Sequence, residues 1–329
     1  MPLENKTILL TGGTGSFGQK FVETALKKYN PKSIRIFSRG EYLQWEMAKK
    51  FNDPRVRFFI GDVRDKDRVL RAMDGVDIVI HAAALKHVPI AEYNPIEAIK
   101  TNIFGTTNVI DAAINKNIKK AIFISTDKAV NPANLYGATK LCAEKLFIQA
   151  NSYVGEKDTI FSCCRYGNVI GSRGSVIPLF LEQNGNGFFT ITDERMSRFL
   201  INLDQGVDFV INSIDIMKGG EVFIPKLPSV KIIDLIKAIN PELEIKVIGI
   251  RPGEKIHETL LTEEEAKHAL EYDNYYIVKP ENPSWNKEEV PGGRALSEGF
   301  RYSSDNNPRW FKEEEIKKII QDFKLENGK

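Results

Sequence analysis

Tyr136 and Lys140 stand four residues apart, a spacing that puts two side chains on one face of a helix. A phenol next to an ammonium has a lowered pKa and can act as a general base toward a hydroxyl proton. Taken alone, Tyr-x-x-x-Lys is common by chance and could be a surface pair. Its surroundings argue for chemistry. The apolar run Ala121–Ser125 reads as a strand, and Ser125-Thr126-Asp127-Lys128 closes it shortly before Tyr136. Two hydroxyls, a carboxylate and an ammonium therefore gather at the carboxyl edge of a strand, where open α/β sheets place their ligands.

A second chemical feature opens the chain. The run Thr7–Thr11 leads straight into Gly12-Gly13-Thr14-Gly15-Ser16-Phe17-Gly18 and then into a helical pattern. Glycine at 12, 15 and 18 lets the backbone turn tightly and approach a pyrophosphate, with the first N–H groups of the helix aimed at the anion. Glycines that only ease the packing of a βα turn are the alternative, but the first turn of an alternating strand–helix pattern is where a dinucleotide binds. A nicotinamide there would take hydride as Tyr136 takes the proton. The second strand ends Phe37-Ser38-Arg39. An acidic residue at that place would accept from the ribose 2′-OH of NAD, whereas a small residue with arginine accommodates a 2′-phosphate, which favours NADP over NAD. Arg39 simply solvated, or paired with Glu41, is the plainer reading. Asp62 and Val63 are placed to reach adenine, and Ala82, Ala83 and Ala84 to let the cofactor lie close.

These residues need a scaffold, and the pattern supplies one. Strand-like runs at Thr7–Thr11, Ser33–Phe37, Val56–Ile60, Asp77–His81 and Ala121–Ser125 alternate with helical periodicity at Phe17–Tyr29, Tyr42–Phe51, Asp67–Met73 and Ile96–Asn115. Helix Gly137–Tyr153 and strand Thr159–Tyr166 continue the series. Such alternation predicts right-handed crossovers and a Rossmann-like, doubly wound parallel sheet, in the α/β class. After about Val169, glycine and proline become frequent and irregular stretches separate shorter elements: Glu221–Ile224, Ile232–Ile239 and Ile245–Ile250. The division expected is a nucleotide-binding domain over residues 1–169, to which later strands and helices could return, and a smaller mixed α/β substrate-binding domain over 170–329. Residues Glu281–Gly299, with several prolines and glycines, read as a surface excursion, and Lys312–Phe323 as a charged amphipathic helix.

Composition narrows the function classes. The 329 residues are 42% hydrophobic and 27% charged, with a net charge of +2, ordinary for a globular chain with a real core. Lysine and arginine are interspersed with acids, so no basic stripe points to nucleic acid. The three cysteines, Cys142, Cys163 and Cys164, have no metal-like spacing and read as small hydrophobes in a reducing compartment; no metal is expected. No run approaches the ~20 apolar residues of a membrane span, and no signal peptide is read at the start. A cytoplasmic enzyme with no membrane partner is the expectation.

Together the Gly-x-x-Gly-x-x-Gly turn, His81-Ala82-Ala83-Ala84, Asn102, Ser125-Thr126 and Tyr-x-x-x-Lys resemble the extended short-chain dehydrogenase/reductase superfamily. More specifically, Phe59–Asp65, Ala83–Pro95, Ser125–Ala129, Asn134–Cys142, Arg165–Val169, Gly171–Val176 and Arg251–Lys255 are similar to the inverting UDP-N-acetylglucosamine 4,6-dehydratases. The resemblance covers nearly the whole chain; Glu281–Gly299 alone carries no motif of that family.

The resemblance implies a cofactor shell of Thr11, Gly12, Thr14, Gly15, Ser16, Phe17, Gly18, Ser38, Arg39, Asp62, Val63, Ala82, Ala83, Ala84, Asn102 and Tyr166, together with Tyr136 and Lys140. It implies a catalytic set of Thr126, Asp127, Lys128, Tyr136 and Lys140. Tyr136 would remove the proton of the sugar's 4-OH, with Thr126 bonded to that oxygen. Lys128 would remove H5 and Asp127 would protonate the departing 6-hydroxyl, giving UDP-2-acetamido-2,6-dideoxy-beta-L-arabino-hex-4-ulose. Retaining hexose dehydratases carry Asp-Glu where this chain has Asp127-Lys128. A lysine base must be neutral, and Lys140, Lys86 and an oxidised nicotinamide are the cations expected to depress its pKa; a structural Asp127–Lys128 ion pair is the plainer reading. For UDP-N-acetylglucosamine itself the implied contacts are Lys86, Tyr136, Asn168, Ser175, Val176, Thr190, Met196, Arg198, Arg251 and Glu254. Arg251 and Arg198 are the candidates for a bidentate grip on phosphate. A homo-oligomer, dimer or hexamer, is implied as well. The product could feed pseudaminic-acid-type sugars of flagellin, capsule sugars or other surface glycans. The competing readings are a UDP-sugar 4-epimerase or retaining dehydratase on the same fold, and a nucleotide-binding protein without turnover.

Overall fold

The computed structural model describes residues 1–171, 176–281, 285, 288 and 290–326. The first half is a strict alternation: β1 Thr7–Thr11, α1 Ser16–Lys28, β2 Ser33–Ser38, α2 Glu41–Phe51, β3 Val56–Ile60, α3 Lys66–Ala72 and β4 Ile78–His81. Two short helices follow, α4 Val88–Tyr93 and α5 Pro95–Ile99, then α6 Gly105–Asn115, β5 Lys120–Thr126, α7 Leu135–Gln149 and β6 Ile160–Tyr166. The sheet order through this half is β6-β5-β4-β1-β2-β3, all parallel. The order reverses between β1 and β4, and a crevice opens at the carboxyl ends of strands at such a point. Every residue of β1 is buried, as helices on both faces of a parallel sheet require. Phe21, Val22 and Ala25 of α1 supply part of that cover.

The helix expected over Ile96–Asn115 is present, but it is not α-helical throughout. Between α5 and α6 the backbone widens into a π turn over Lys100–Phe104. The cause is local packing. Asn102 turns inward to bond the Leu85 backbone, with Leu85 N–H donating to Oδ1 (2.8 Å) and Nδ2 donating to Leu85 O (3.0 Å). Gly105 lies so near Val63 that a Cβ would sit 2.7 Å from its side chain.

The second half comprises β7 Asn168–Val169, α8 Val176–Gly185, β8 Phe188–Ile191, β9 Ser197–Ile201, α9 Leu203–Ile216, β10 Val222–Pro225, β11 Ser229–Lys231, α10 Ile232–Ile239 and β12 Glu244–Val247. It ends with β13 Thr259–Leu261, α11 Glu263–Ala266, β14 Ala269–Glu271, β15 Tyr275–Val278, β16 Arg294–Ala295, β17 Tyr302–Ser303 and α12 Glu313–Glu326. This half contributes to two places. Strand β10 pairs parallel with β6, and β15, β14 and β16 extend the sheet antiparallel beyond it, to ten strands among the described residues. Arg294–Ala295, inside the stretch read as a surface excursion, is thus an edge strand. Helix α9, through Val207, Val210, Ile211 and Ile214, and Leu260, Leu261, Ala266 and Tyr302 from β13, α11 and β17 join the core of the main sheet, while Phe180, Phe189, Leu200, Leu235, Ile316 and their neighbours form a second core.

Candidate functional site

A cleft of about 630 Å³ runs along the carboxyl ends of β1 to β6. At one end lies the turn after β1. Gly12 has φ +67, and a Cβ there would lie 2.9 Å from the Ala83 backbone, so only glycine lets the turn approach the loop after β4. Gly15 starts α1 with no side-chain cap and no acid in the first turn, which leaves the helix N–H groups and the positive end of its dipole toward the cleft. Thr14, Ser16 and Phe17 line it as well. Gly18 does not line it. Its Cβ would meet Gly13 O at 2.1 Å, so this glycine serves the packing of turn on helix.

Ser38, Arg39, Asp62 and Val63 line the far end and Ala82, Ala83 and Ala84 the wall beside β4. Arg39 is 4.0 Å from Asp62, not paired with Glu41. Thr11 lies below the wall. Its hydroxyl accepts from Ala82 and Ala83 N–H (both 3.2 Å) and meets His81 Nδ1 at 2.7 Å. An oxygen already accepting twice donates to the imidazole, so Nδ1 is the acceptor and Nε2 carries the hydrogen toward Thr106 Oγ1 at 2.9 Å. Burial and the Lys140 charge hold this histidine neutral, with its pKa down to about 3. Asn102 is also behind the wall, bonding Thr139 Oγ1 (2.9 Å) as well as Leu85. Both residues shape the cleft rather than line it.

The polar end is built by β5, a 3-10 turn over Asp127–Ala129, and α7. Asn134 caps α7, its Oδ1 accepting from Gly137 N–H at 2.8 Å. Gly137 sits against the turn; a Cβ there would lie 2.1 Å from Lys128 O. Helix and turn are therefore in backbone contact, which brings Tyr136 beside Lys128. Gly137→Ala is expected to cost about 1–3 kcal/mol of overpacking and to lower turnover more than binding, read as a fall in Tm and in kcat with KM little changed.

Thr126, Lys128, Tyr136, Lys140 and Tyr166 line the cleft, and Asp127 does not. The Asp127 side chain is wholly buried. Its Oδ1 accepts from Thr126 Oγ1 (2.9 Å) and Lys128 Nζ (3.1 Å), while Oδ2 has no partner. Burial pulls the Lys128 pKa down, but Asp127 and Glu258 outweigh it against the opposing Arg198, and the net shift is upward. Two carboxylates beside Nζ thus favour the ammonium, opposite in sign to the effect expected of Lys86, Lys140 and an oxidised nicotinamide. Burial pushes the Tyr136 phenol up to about 12; Lys128 and a Thr126 hydrogen bond pull against this, and Asp127 adds to it. The cation acting on the phenol is thus Lys128. Lys140 donates to Ile124 O at 2.6 Å and lies 3.7 Å from the Phe123 ring centroid. Burial lowers its pKa to about 7, against Cys163 and Glu144.

The substrate candidates divide. Lys86 and Asn168 line the cleft, and Asn168 Oδ1 is buried without a partner. Ser175 lies outside the described residues, and Val176 opens α8. Thr190 is held by Gln183, whose amide meets its hydroxyl (2.7 Å) and its N–H (2.9 Å). Met196 belongs to the second core and does not line the cleft; its sulfur accepts from Thr192 Oγ1 (3.0 Å) and Arg198 Nη2 (3.4 Å). Arg198 donates to the carbonyls of Ser197 (2.7 Å), Ile256 (2.8 Å) and Lys255 (3.0 Å), which turns the expected phosphate fork into a brace for the backbone. Arg251 is largely exposed and 3.9 Å from Glu254; neither lines the cleft. Glu258, absent from the expectations, is buried beside Lys128. It follows the Arg251–Lys255 motif by three residues, and no spacing in the chain links it to Lys128.

A family model described as polysaccharide biosynthesis protein matches residues 8–280. A Campylobacter jejuni protein named UDP-N-acetylglucosamine 4,6-dehydratase (inverting) is 53% identical over 324 residues, 96% of this chain and 97% of its own length. A Rickettsia rickettsii UDP-glucose 4-epimerase is 42% identical, over 96% of this chain and 95% of its own. The X-ray structure of Pen from Bacillus thuringiensis, 41% identical, superposes with a TM-score of 0.91 over 99% of this chain and 100% of that one.

Proposed function

The chain belongs to the polysaccharide biosynthesis protein family, and from that premise we propose that it is an inverting UDP-N-acetylglucosamine 4,6-dehydratase, a hydro-lyase working with bound NADP. The observation that carries the reading is Lys128, which lines one cleft with Tyr136 and pairs at 3.1 Å with the buried Asp127 behind it. Oxidation at C4 needs only a Tyr–Lys pair; loss of water needs a base for C5 and a proton for the leaving hydroxyl, and this pair can serve as both.

The cleft suits a dinucleotide, because Gly12 makes room that a Cβ would fill and the uncapped α1 N-terminus faces the same space. When bound, the nicotinamide supplies the redox capacity for C4 and C6. Arg39 is the cation for a 2′-phosphate, and Asp62, at 4.0 Å, is the partner it would share. Arg39→Ala is expected to weaken NADP binding by about tenfold or more, the worth of a charged hydrogen bond, and to leave NAD binding nearly unchanged, measured by titrating each cofactor.

In the mechanism, Tyr136 accepts the 4-OH proton as a phenolate, the form that the Lys128 charge and the Thr126 hydrogen bond favour. The resting Lys128–Asp127 pair is ammonium and carboxylate. Transfer of one proton from Nζ to Oδ1 yields an amine and a carboxylic acid. The amine takes H5; the C5–H electrons form the C5=C6 bond, the C6–O bond breaks, and the oxygen leaves as water with the Asp127 proton. The ammonium–carboxylate pair is then restored; C5 takes a solvent-exchangeable proton, Tyr136 gives up the proton it accepted, and hydride returned at C6 would complete the 4-keto-6-deoxy product. Because Asp127 is buried and Thr126 lines the cleft while bonded to Asp127, the Thr126 hydroxyl links the acid to the sugar. The product is a precursor for deoxy sugars of surface glycans, with pseudaminic-acid-type sugars as one class.

The test is incubation of the protein with UDP-N-acetylglucosamine in deuterium oxide, followed by NMR. Deuterium at C5, a 6-methyl group and the L-arabino configuration are expected. A C4 epimer without deuterium at C5 would instead assign the chain to the epimerases, the activity named for the Rickettsia relative.

A further inference from the structure

We propose that Glu258 is a positioning residue for the dehydration: it holds the Lys128 ammonium at the cleft wall and governs when that ammonium releases its proton. The proposal rests on the dehydratase reading for its catalytic meaning, but its geometry stands on its own.

Glu258 ends the loop that runs from Arg251 to β13, and this loop is clamped to the turn that carries Lys128. Asn134 Nδ2 donates to Gly253 O (2.8 Å), and Lys255 Nζ donates to Val130 O (2.6 Å). The Glu258 backbone is tied to Ser304, donating to its Oγ (3.0 Å) and accepting from its N–H (2.8 Å). The carboxylate, only 4% exposed, then sits among three cations. Oε1 is 3.6 Å from Lys128 Nζ and 4.0 Å from Arg198 Nε, and Oε2 is 3.3 Å from Lys255 Nζ.

Two features distinguish this arrangement from a plain structural ion pair. First, Arg198 and Lys255 are both spent on backbone carbonyls, so Lys128 is the one cation of the three that lines the cleft. Second, Glu258 Oε2 is buried with no hydrogen bond. A carboxylate held rigid and under-bonded acts through its charge, and in a poorly solvated site that charge acts strongly on its neighbours. The groups facing Lys128 are Asp127 from its own turn, Tyr136 from α7, Arg198 from β9, and Glu258 from the loop before β13. Of these, Asp127 and Glu258 favour the ammonium. Asp127 exchanges a proton with Lys128 in the mechanism, whereas Glu258, paired also with Lys255 and Arg198, takes no part in that exchange. It therefore sets a constant bias toward the ammonium, which keeps the shared proton on the pair at high pH.

Glu258→Gln removes the charge and keeps the shape. Two readouts on the whole protein are used: the pH profile of kcat with UDP-N-acetylglucosamine, and the ¹⁵N-lysine NMR titration of Lys128 Nζ, assigned by its loss in Lys128→Arg. The expected result is that the alkaline limb of kcat and the Nζ midpoint both move down by about one pH unit, the size of a single close charge. Glu258→Asp withdraws the charge from Nζ while still neutralising Lys255 and Arg198, and a smaller shift in the same direction is expected; it also serves if the glutamine variant does not fold. A uniform fall in kcat with the Nζ midpoint unmoved in either variant overturns the proposal. The titration needs no turnover, so absence of C5 exchange in the wild type would sink the dehydratase reading and leave this inference still decided by the midpoint.

Discussion

Lys128→Ala is expected to lower kcat for net dehydration by about 10³-fold, the scale of removing a positioned acid–base group, and to stop deuterium uptake at C5 while C4 oxidation still occurs. Reduced nicotinamide should then accumulate in a single turnover, since the 4-keto sugar has no base to carry it on. The truncation has a structural effect too. Asp127 and Glu258 are buried at 0% and 4% exposure and both lean on Nζ; loss of one partner of a buried ion pair costs about 3–5 kcal/mol. Lys128→Arg separates the two effects. It keeps a cation between the carboxylates but cannot become a neutral base, so the Tm should stay near the wild type while dehydration is lost. Dehydration within tenfold of the wild type in the arginine variant would remove Lys128 as the base.

Tyr136→Phe is expected to lower turnover by about 10²–10⁴-fold with a different signature: no reduced nicotinamide and no exchange at C5, because the first step fails. Burial pushes the phenol's pKa up to about 12, and Lys128 and Thr126 are what pull it back. The ring fills the same volume in phenylalanine and belongs to a small buried cluster with Ala91 and Ala98, so stability should change by no more than about 1.5 kcal/mol. Stopped-flow absorbance of the bound cofactor tells the two variants apart. Equal accumulation of reduced cofactor in both would show that Tyr136 is not the base at C4.

The two experiments bear on residues of different legibility. Tyr136 was found by a spacing of four on one helix, a local property that survives in any fold containing that helix. The glycine turn after β1 was legible for the same reason, although Gly18 proved to serve packing against Gly13 O. The sheet was legible from strand–helix alternation through β6. Return of β10, β14, β15 and β16 to that sheet could not be read in detail, because short strands after irregular stretches carry no signal of which edge they join. Arg198 and Met196 show a related limit of the sequence. A guanidinium reads as a phosphate ligand until its donors are seen on three carbonyls, and a thioether reads as cleft lining until it is seen in a core.

What the sequence alone determined is the alternation of elements, the glycine turn after β1, and the presence of Asp127 and Lys128 at one strand end with Tyr136 on the helix that follows, all set by short-range spacing. Among the described residues, the charge of Lys128 was decided by tertiary structure. Charge interactions fall off with distance, and the groups closest to Nζ include Glu258 and Arg198 from loops and strands far along the chain. A pattern of neighbours in sequence could supply Asp127; the fold supplied the rest.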